Sequence, residues 1–194
     1  MATSKVAIAN GALQHLGAKR IESLGQDHPN ARSMKAAYDR ARKKLLRQYD
    51  WGFATRRDSI AADGDETLWG GHNRFVLPND YLRFLRDDES GYRLDWKIES
   101  DENVGVYIVT DDASPLEIRY IADVDDPNFY DAMFIAALEL QLALDTCIEI
   151  TQSASKKSLI KEDFNDAIAD ARRVGAIEKD AQEAPEDDWV SARL

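Results

Sequence analysis

Residues 129–147 read FYDAMFIAALELQLALDTC, and this stretch decides the fold class. Its apolar side chains recur every three or four residues along two lines, as they do on a buried α-helix. One line contains Phe129, Met133, Ala136, Leu140, Leu144 and Cys147, and the other contains Phe134, Leu138 and Leu142. A helix that is apolar on two faces must bury both, so we expect it to pack against other helices of this chain or against a neighbouring subunit.

Three further segments have helical periodicity, and together the four predict a helical bundle. The predicted helices cover residues 4–17, 30–50, 127–150 and 155–183. Gly17 suits the end of the first helix. Asn30 is expected to cap the second helix, and Asp126 or Asn128 the third.

The middle of the chain, residues 51–123, changes to the period of two that is typical of strands. The strand-like segments are 51–57, 74–77, 92–98, 104–109 and 116–121. Segment 104–109 is apolar on both faces and therefore suits a central strand. We predict an α+β fold, in which a small antiparallel β-sheet is inserted between helices two and three of a mostly helical bundle. Residues 1–184 are expected to form a single domain, followed by a C-terminal docking tail at 185–194.

The formal net charge of −11 is distributed unevenly. Residues 30–57 contain nine basic and two acidic side chains, whereas residues 58–194 carry a net charge of −19. The basic side chains of the second predicted helix lie mainly away from its apolar stripe, and such asymmetry often marks a binding surface. The candidate interface residues on this helix are Arg32, Lys35, Arg42, Lys43 and Arg47. Three interpretations are open: contact with DNA phosphates, docking on an acidic protein surface, and a solvated face paired with the acidic body.

The tail and the third helix add further candidate interface residues. The tail is acidic but contains Trp189, and a tryptophan in a polar tail needs something to pack on. Arg193 follows it and could bind a carboxylate. On the third helix the second apolar line is a candidate contact for a neighbour, through Phe134, Leu138 and Leu142.

The residue types that carry catalysis form no recognised pattern in this sequence. The three histidines are not spaced as metal ligands, and there is no phosphate-binding glycine loop and no nucleophile elbow. The one cysteine, Cys147, belongs to an apolar helical pattern and is expected to be buried. We therefore expect no enzyme activity, no metal and no cofactor. No apolar run reaches the roughly 20 residues that span a bilayer, so we expect no membrane partner.

Several short signatures, taken in order, resemble a known family. They are Ala9-Asn10-x-Ala-Leu13-x-x-Leu16-Gly17, Leu45-Leu-Arg-Gln-Tyr49-Asp-Trp51-x-Phe53-Ala54, Phe75-x-Leu77-Pro78-x-Asp80-Tyr81-Leu82-Arg83, Ile118-Arg-Tyr120-Ile-x-Asp123, Phe129-Tyr-Asp-Ala-Met-Phe134, Ala136-Ala-Leu-Glu-Leu140 and Trp189-x-x-Ala192-Arg193. Spread over nearly the whole chain, they resemble the tail tubular protein A and head-to-tail adaptor family of short-tailed bacteriophages, the podoviruses.

The resemblance implies a structural virion protein with a helical bundle and a β-sheet insertion. Members form a homo-oligomeric ring, typically of twelve subunits, that docks on the portal protein and receives the tail nozzle protein. Viral DNA would pass through the channel during genome ejection without specific binding. The protein would be made in the host bacterial cytoplasm and end in the tail of the virion. The alternatives are a head-completion protein of a long-tailed phage, a tail-associated glycan hydrolase, and a small nucleic-acid-binding regulator.

Overall fold

The computed structural model describes residues 3–64, 73–85 and 96–178 of the 194-residue chain. The helices of this part are α1 (Lys5–His15), α2 (Pro29–Gln48), α3 (Ala132–Thr151) and α4 (Ala154–Glu178). The strands, all between α2 and α3, are β1 (Thr55–Ile60), β2 (Asn73–Val76), β3 (Tyr81–Leu85), β4 (Trp96–Asp101), β5 (Gly105–Thr110) and β6 (Leu116–Ala122). The predicted α+β class, with strands inserted between the second and third helices, is confirmed.

Helix α3 is the centre of the helical layer, and α1, α2 and α4 all pack against it. Phe134, Leu138 and Leu142 are fully buried within the chain. The second apolar face of this helix is therefore covered by the chain itself, and it is not a surface for a neighbouring subunit. The first line is less buried than predicted, since Ala136 lies at the surface and Phe129, in the turn before α3, is 67% exposed.

The helix starts differ from the predicted ones because other residues supply the caps. His28, not Asn30, caps α2, and its Nδ1 accepts a hydrogen bond from the Asn30 amide at 3.1 Å. Asp126 caps a short 3₁₀ turn, and Asp131 caps α3 itself. The predicted end of the fourth helix, at residue 183, lies outside the described residues.

Helix α1 ends as the sequence predicted. Gly17 adopts a positive φ of 64°, a conformation that glycine accepts without steric cost. The chain reverses there, and the Ala18 amide donates to the Leu13 carbonyl at 2.9 Å.

The strands form two three-stranded antiparallel sheets, not the single sheet that the sequence predicted. Sheet A has the order β1-β6-β3, and sheet B has the order β2-β5-β4. Because β6 is paired on both edges, by β1 and by β3, it offers no edge to the remaining strands. Strand β5 is central in sheet B, as its apolar pattern predicted. Residues 92–95 of a predicted strand lie outside the described residues.

The two sheets share one core with the helices. The rings of Phe84 in sheet A and Trp96 in sheet B lie 4.8 Å apart between centroids. Phe75 and Ile108 of sheet B are buried in the same hydrophobic cluster as the residues of α3. Sheet A lies nearer the helices, where α2 contacts β3 and β6.

Candidate interaction surfaces

Arg42 lies in the interior and not on the basic surface where the sequence placed it. Its side chain is 3% exposed, and its guanidinium binds the Asp123 carboxylate and donates to the Val124 carbonyl at 2.7 Å. Lys43 binds the same carboxylate at 2.9 Å but stays half exposed. The prediction for Arg42 was wrong because this residue flanks the apolar stripe of α2, where the segment after β6 covers it.

The charges of this cluster stabilise each other. Burial lowers the pKa of Arg42, but the hydrogen bond and the charge of Asp123 outweigh that effect and leave the pKa raised. Burial raises the pKa of Asp123, whereas hydrogen bonds from Lys43 and Arg42 lower it, and the net pKa is lowered. Both groups are therefore charged at neutral pH, and neither is free to bind a partner.

The segment after β6 is also tied to α1 and to the turn before α3. Lys5 of α1 binds the Asp125 carboxylate at 2.7 Å. The Tyr130 hydroxyl donates to the Val124 carbonyl at 3.1 Å, and burial raises the pKa of that hydroxyl to about 12. These contacts join α1 and α2 to the end of sheet A, which gives the acidic residues of this segment a structural role.

The other predicted basic residues of α2 fall into two groups. Arg47 donates to the Leu82 carbonyl at 2.7 Å and so ties α2 to β3. Arg32 is exposed and approaches Asp27 only to 3.8 Å, beyond hydrogen-bonding distance. Lys35 is exposed and has no ion-pair partner among the described residues. Arg32 and Lys35 are thus accessible to a partner.

Two basic residues that sequence reasoning missed complete this surface. Arg40 and Lys44 are exposed and have no ion-pair partner within the described ranges. Arg40 and Lys44 are four residues apart and Arg32 lies eight residues before Arg40, so the three fall on the exposed half of α2, with Lys35 at the other margin of that half. We call Arg32, Lys35, Arg40 and Lys44 the basic stripe. These positions are visible in the sequence and could have identified the basic stripe, had position on the helix been weighed along with charge.

One exposed side of α4 is mainly acidic, although the basic Arg173 also lies on it. Four acidic side chains of α4 are exposed and lie on this side of the helix; they are Glu162, Asp163, Asp166 and Asp170, which we call the acidic stripe. Asp170 lies 3.2 Å from Arg173, and the other three have no ion-pair partner in the described part of the chain. Leu159 and Ile177 lie on the same side of α4, 61% and 79% exposed. The opposite side packs inward through Ile160, Phe164 and Ile168.

Burial raises the pKa of the Glu139 carboxyl group of α3. It faces α1, where a Cβ added to Gly11 would lie 2.2 Å from the Glu139 carboxyl carbon. A cavity of about 490 Å³ borders this contact and is also lined by His15 and Arg20. A side chain at position 11 would therefore displace the flexible end of the Glu139 side chain.

The remaining predicted interface residues, Trp189 and Arg193, lie outside the described residues, so their contacts stay predictions. Cys147 is buried, as its place in the apolar pattern predicted. Among the described residues, no group of three or more His, Cys, Asp or Glu side chains could hold a metal ion. In the same part of the chain no helix has the length and apolarity to cross a membrane.

Models of known protein families do not match this chain, and neither do the curated proteins with which it was compared.

Proposed function

We propose that this chain is a structural virion protein that forms the adaptor ring between the portal protein and the tail nozzle protein of a short-tailed bacteriophage. One observation carries the proposal. Four of the short signatures that resemble the adaptor family, at 45–54, 75–83, 118–123 and 129–134, lie far apart in the sequence but meet at a joint between the helices and sheet A.

The apolar half of this joint is an aromatic cluster. Phe134 of α3 has the rings of Phe53, Tyr130 and Trp51 around it, at centroid distances of 4.9, 4.9 and 5.0 Å. The Trp51 indole N–H donates to the Leu45 carbonyl at 3.1 Å, which fixes the ring against the end of α2. The signature that ends α2 thus packs on the signature that begins α3.

The polar half of the joint connects the signatures at 75–83 and 118–123. The Tyr120 hydroxyl donates to the Asp80 carboxylate at 3.0 Å, and the Asp123 amide donates to the Asp80 carbonyl at 2.6 Å. Asp123 then binds Arg42, 81 positions away in the sequence. Residues that hold a sheet rigidly on a helical body suit a mechanical role, because every copy in a ring must keep the same shape.

Charge favours a protein partner over DNA for the basic stripe. The chain carries a net charge of −11, and the basic stripe shares the surface with the acidic stripe of α4. Dense phosphate contacts would hinder the passage of DNA through a conduit, whereas an acidic wall repels it. We therefore assign the basic stripe to contact with an acidic protein surface, while DNA passes through the channel without specific binding.

Disruption of the gene in the phage that encodes it tests the proposal. A stop codon should give DNA-containing heads without tails in negative-stain electron microscopy, and the chain supplied from a plasmid should restore the tails. A synonymous change at the same codon is the matched control. Particles with normal tails and normal infectivity after disruption would overturn the proposal, and loss of a long tail would favour the head-completion alternative.

A further inference from the structure

We propose that neighbouring copies of this chain bind each other through the basic stripe of one copy and the acidic stripe of the next. The inference rests on the proposed ring and identifies the partner of the basic stripe as a second copy of the chain. The two stripes are exposed helix faces of opposite charge on one molecule, and their ion pairs with other described residues are limited to Arg32 with Asp27 and Asp170 with Arg173, so each copy carries both halves of the contact.

The two stripes differ in length but share a charge spacing. At 1.5 Å per residue, the basic stripe extends over about 18 Å of α2 and the acidic stripe over about 12 Å of α4. Charges four residues apart repeat about every 6 Å on both helices, as between Arg40 and Lys44 and between Glu162 and Asp166. Two such helices laid side by side can pair several charges at once, and the exposed Leu159 and Ile177 add apolar area at either end of the acidic stripe.

The position of the stripes determines the kind of assembly. They lie on the exposed sides of α2 and α4, two helices that both pack on α3, so a contact between them joins two different patches. Such a heterologous contact passes from copy to copy and generates a closed ring when the rotation closes. A contact of one patch with itself would end at a dimer.

The charges also make this contact weak in solution. Exposed ion pairs stabilise little individually, and the net charge of −11 on each copy opposes association. A portal that holds copies side by side would raise their effective concentration and make the weak contact sufficient. Salt should weaken the contact further.

Zero-length carbodiimide cross-linking of the purified full-length chain tests the contact. The reagent joins a lysine amine to a carboxylate as an amide only where the two touch, and the carbodiimide takes up the elements of water and leaves as a urea. At high protein concentration and low salt, a mixture of isotopically light and heavy chains should give intermolecular amides between Lys44 or Lys35 and the acidic stripe. In the variant Arg32→Glu with Arg40→Glu every coupling group is retained, yet the yield of these amides should fall by about tenfold or more.

Charge exchange supplies the decisive control. Reversal of the basic stripe in one variant (Arg40→Glu with Lys44→Glu) and of the acidic stripe in another (Asp163→Lys with Asp166→Lys) should abolish self-association in sedimentation velocity. An equimolar mixture of the two should recover it, because each supplies the charge that the other has lost. Charge reversal at Lys97, an exposed residue of β4, should leave self-association unchanged.

The inference is overturned if the wild-type chain gives no stripe-to-stripe amide, if the Arg32→Glu, Arg40→Glu variant gives an undiminished yield, or if the mixed variants stay monomeric where the wild type associates. If the cross-linking and charge-exchange experiments fail but gene disruption gives tailless particles, the adaptor function is retained and the copies bind through a different interface. Tailed particles on gene disruption would refute the adaptor function whatever the cross-links are.

Discussion

Replacement of Arg42 by alanine perturbs the joint at its most buried charge. Removal of one partner from a buried ion pair costs about 3–5 kcal/mol, because the other charge and its acceptors are left unsatisfied. Here the Val124 carbonyl would lose its donor, but Asp123 is 22% exposed and keeps Lys43. We therefore expect the free energy of unfolding to fall by about 2–4 kcal/mol.

Urea unfolding followed by circular dichroism, with tryptophan fluorescence as a second probe, measures this loss. At about 2–4 °C per kcal/mol for a chain of this length, the melting temperature should fall by roughly 5–15 °C. Lys44→Ala is the matched control, since it removes an exposed charge from the same helix and should change stability by less than about 0.5 kcal/mol. Arg42→Lys keeps the charge without the same hydrogen bonds, so its loss of stability should lie between those of Arg42→Ala and Lys44→Ala. Equal midpoints for Arg42→Ala and Lys44→Ala would refute the reasoning.

The remaining predictions concern pH and the tail. Because the fold lowers the pKa of Asp123, its ion pairs stabilise the protein above the ordinary aspartate pKa, and this stability is lost as the pH falls through the pKa of the folded state. In Asp123→Asn the melting temperature should therefore fall less than in the wild type as the pH is lowered through this range. Burial raises the pKa of Glu139, so the contribution of this residue to stability is present at acid pH and lost as the pH rises. Glu139→Gln should raise the melting temperature at neutral pH by on the order of 1 °C. An increase in melting temperature that persists below the ordinary glutamate pKa would contradict this. Deletion of 185–194 should leave the melting temperature nearly unchanged but block stable addition to particles, because an interface tryptophan such as Trp189 commonly contributes a few kcal/mol; unfolding of the truncated chain would place the tail in the core.

Helical periodicity predicted the body of the fold because it is a local signal. Residues three and four positions apart share a helix face, so the apolar lines of α3 are visible in the sequence. The number of sheets depends on pairings between distant residues, such as Thr55 with Ile121, and no local pattern contains them. Strand β3 was missed because its residues, Tyr81-Leu-Arg-Phe-Leu85, do not alternate between apolar and polar side chains.

The candidate surfaces could not be predicted without knowing which side chains are covered by other parts of the fold. Arg42 and Lys44 both stand in a basic helix, yet one is buried by the segment after β6 and the other is exposed. The burial of Arg42 depends on its contact with Asp123, which follows all the strands of both sheets in the sequence. The acidic stripe of α4, in contrast, follows from spacing within one helix, and the sequence already contained it.

The most direct test of the account is an electron cryo-microscopy map of the portal vertex of the particle that contains this protein. The account predicts a rotationally symmetric ring between portal and nozzle, in which each subunit fits the α1–α4 body with sheets A and B. A map with another protein at that position, from particles that lack this chain, would contradict it.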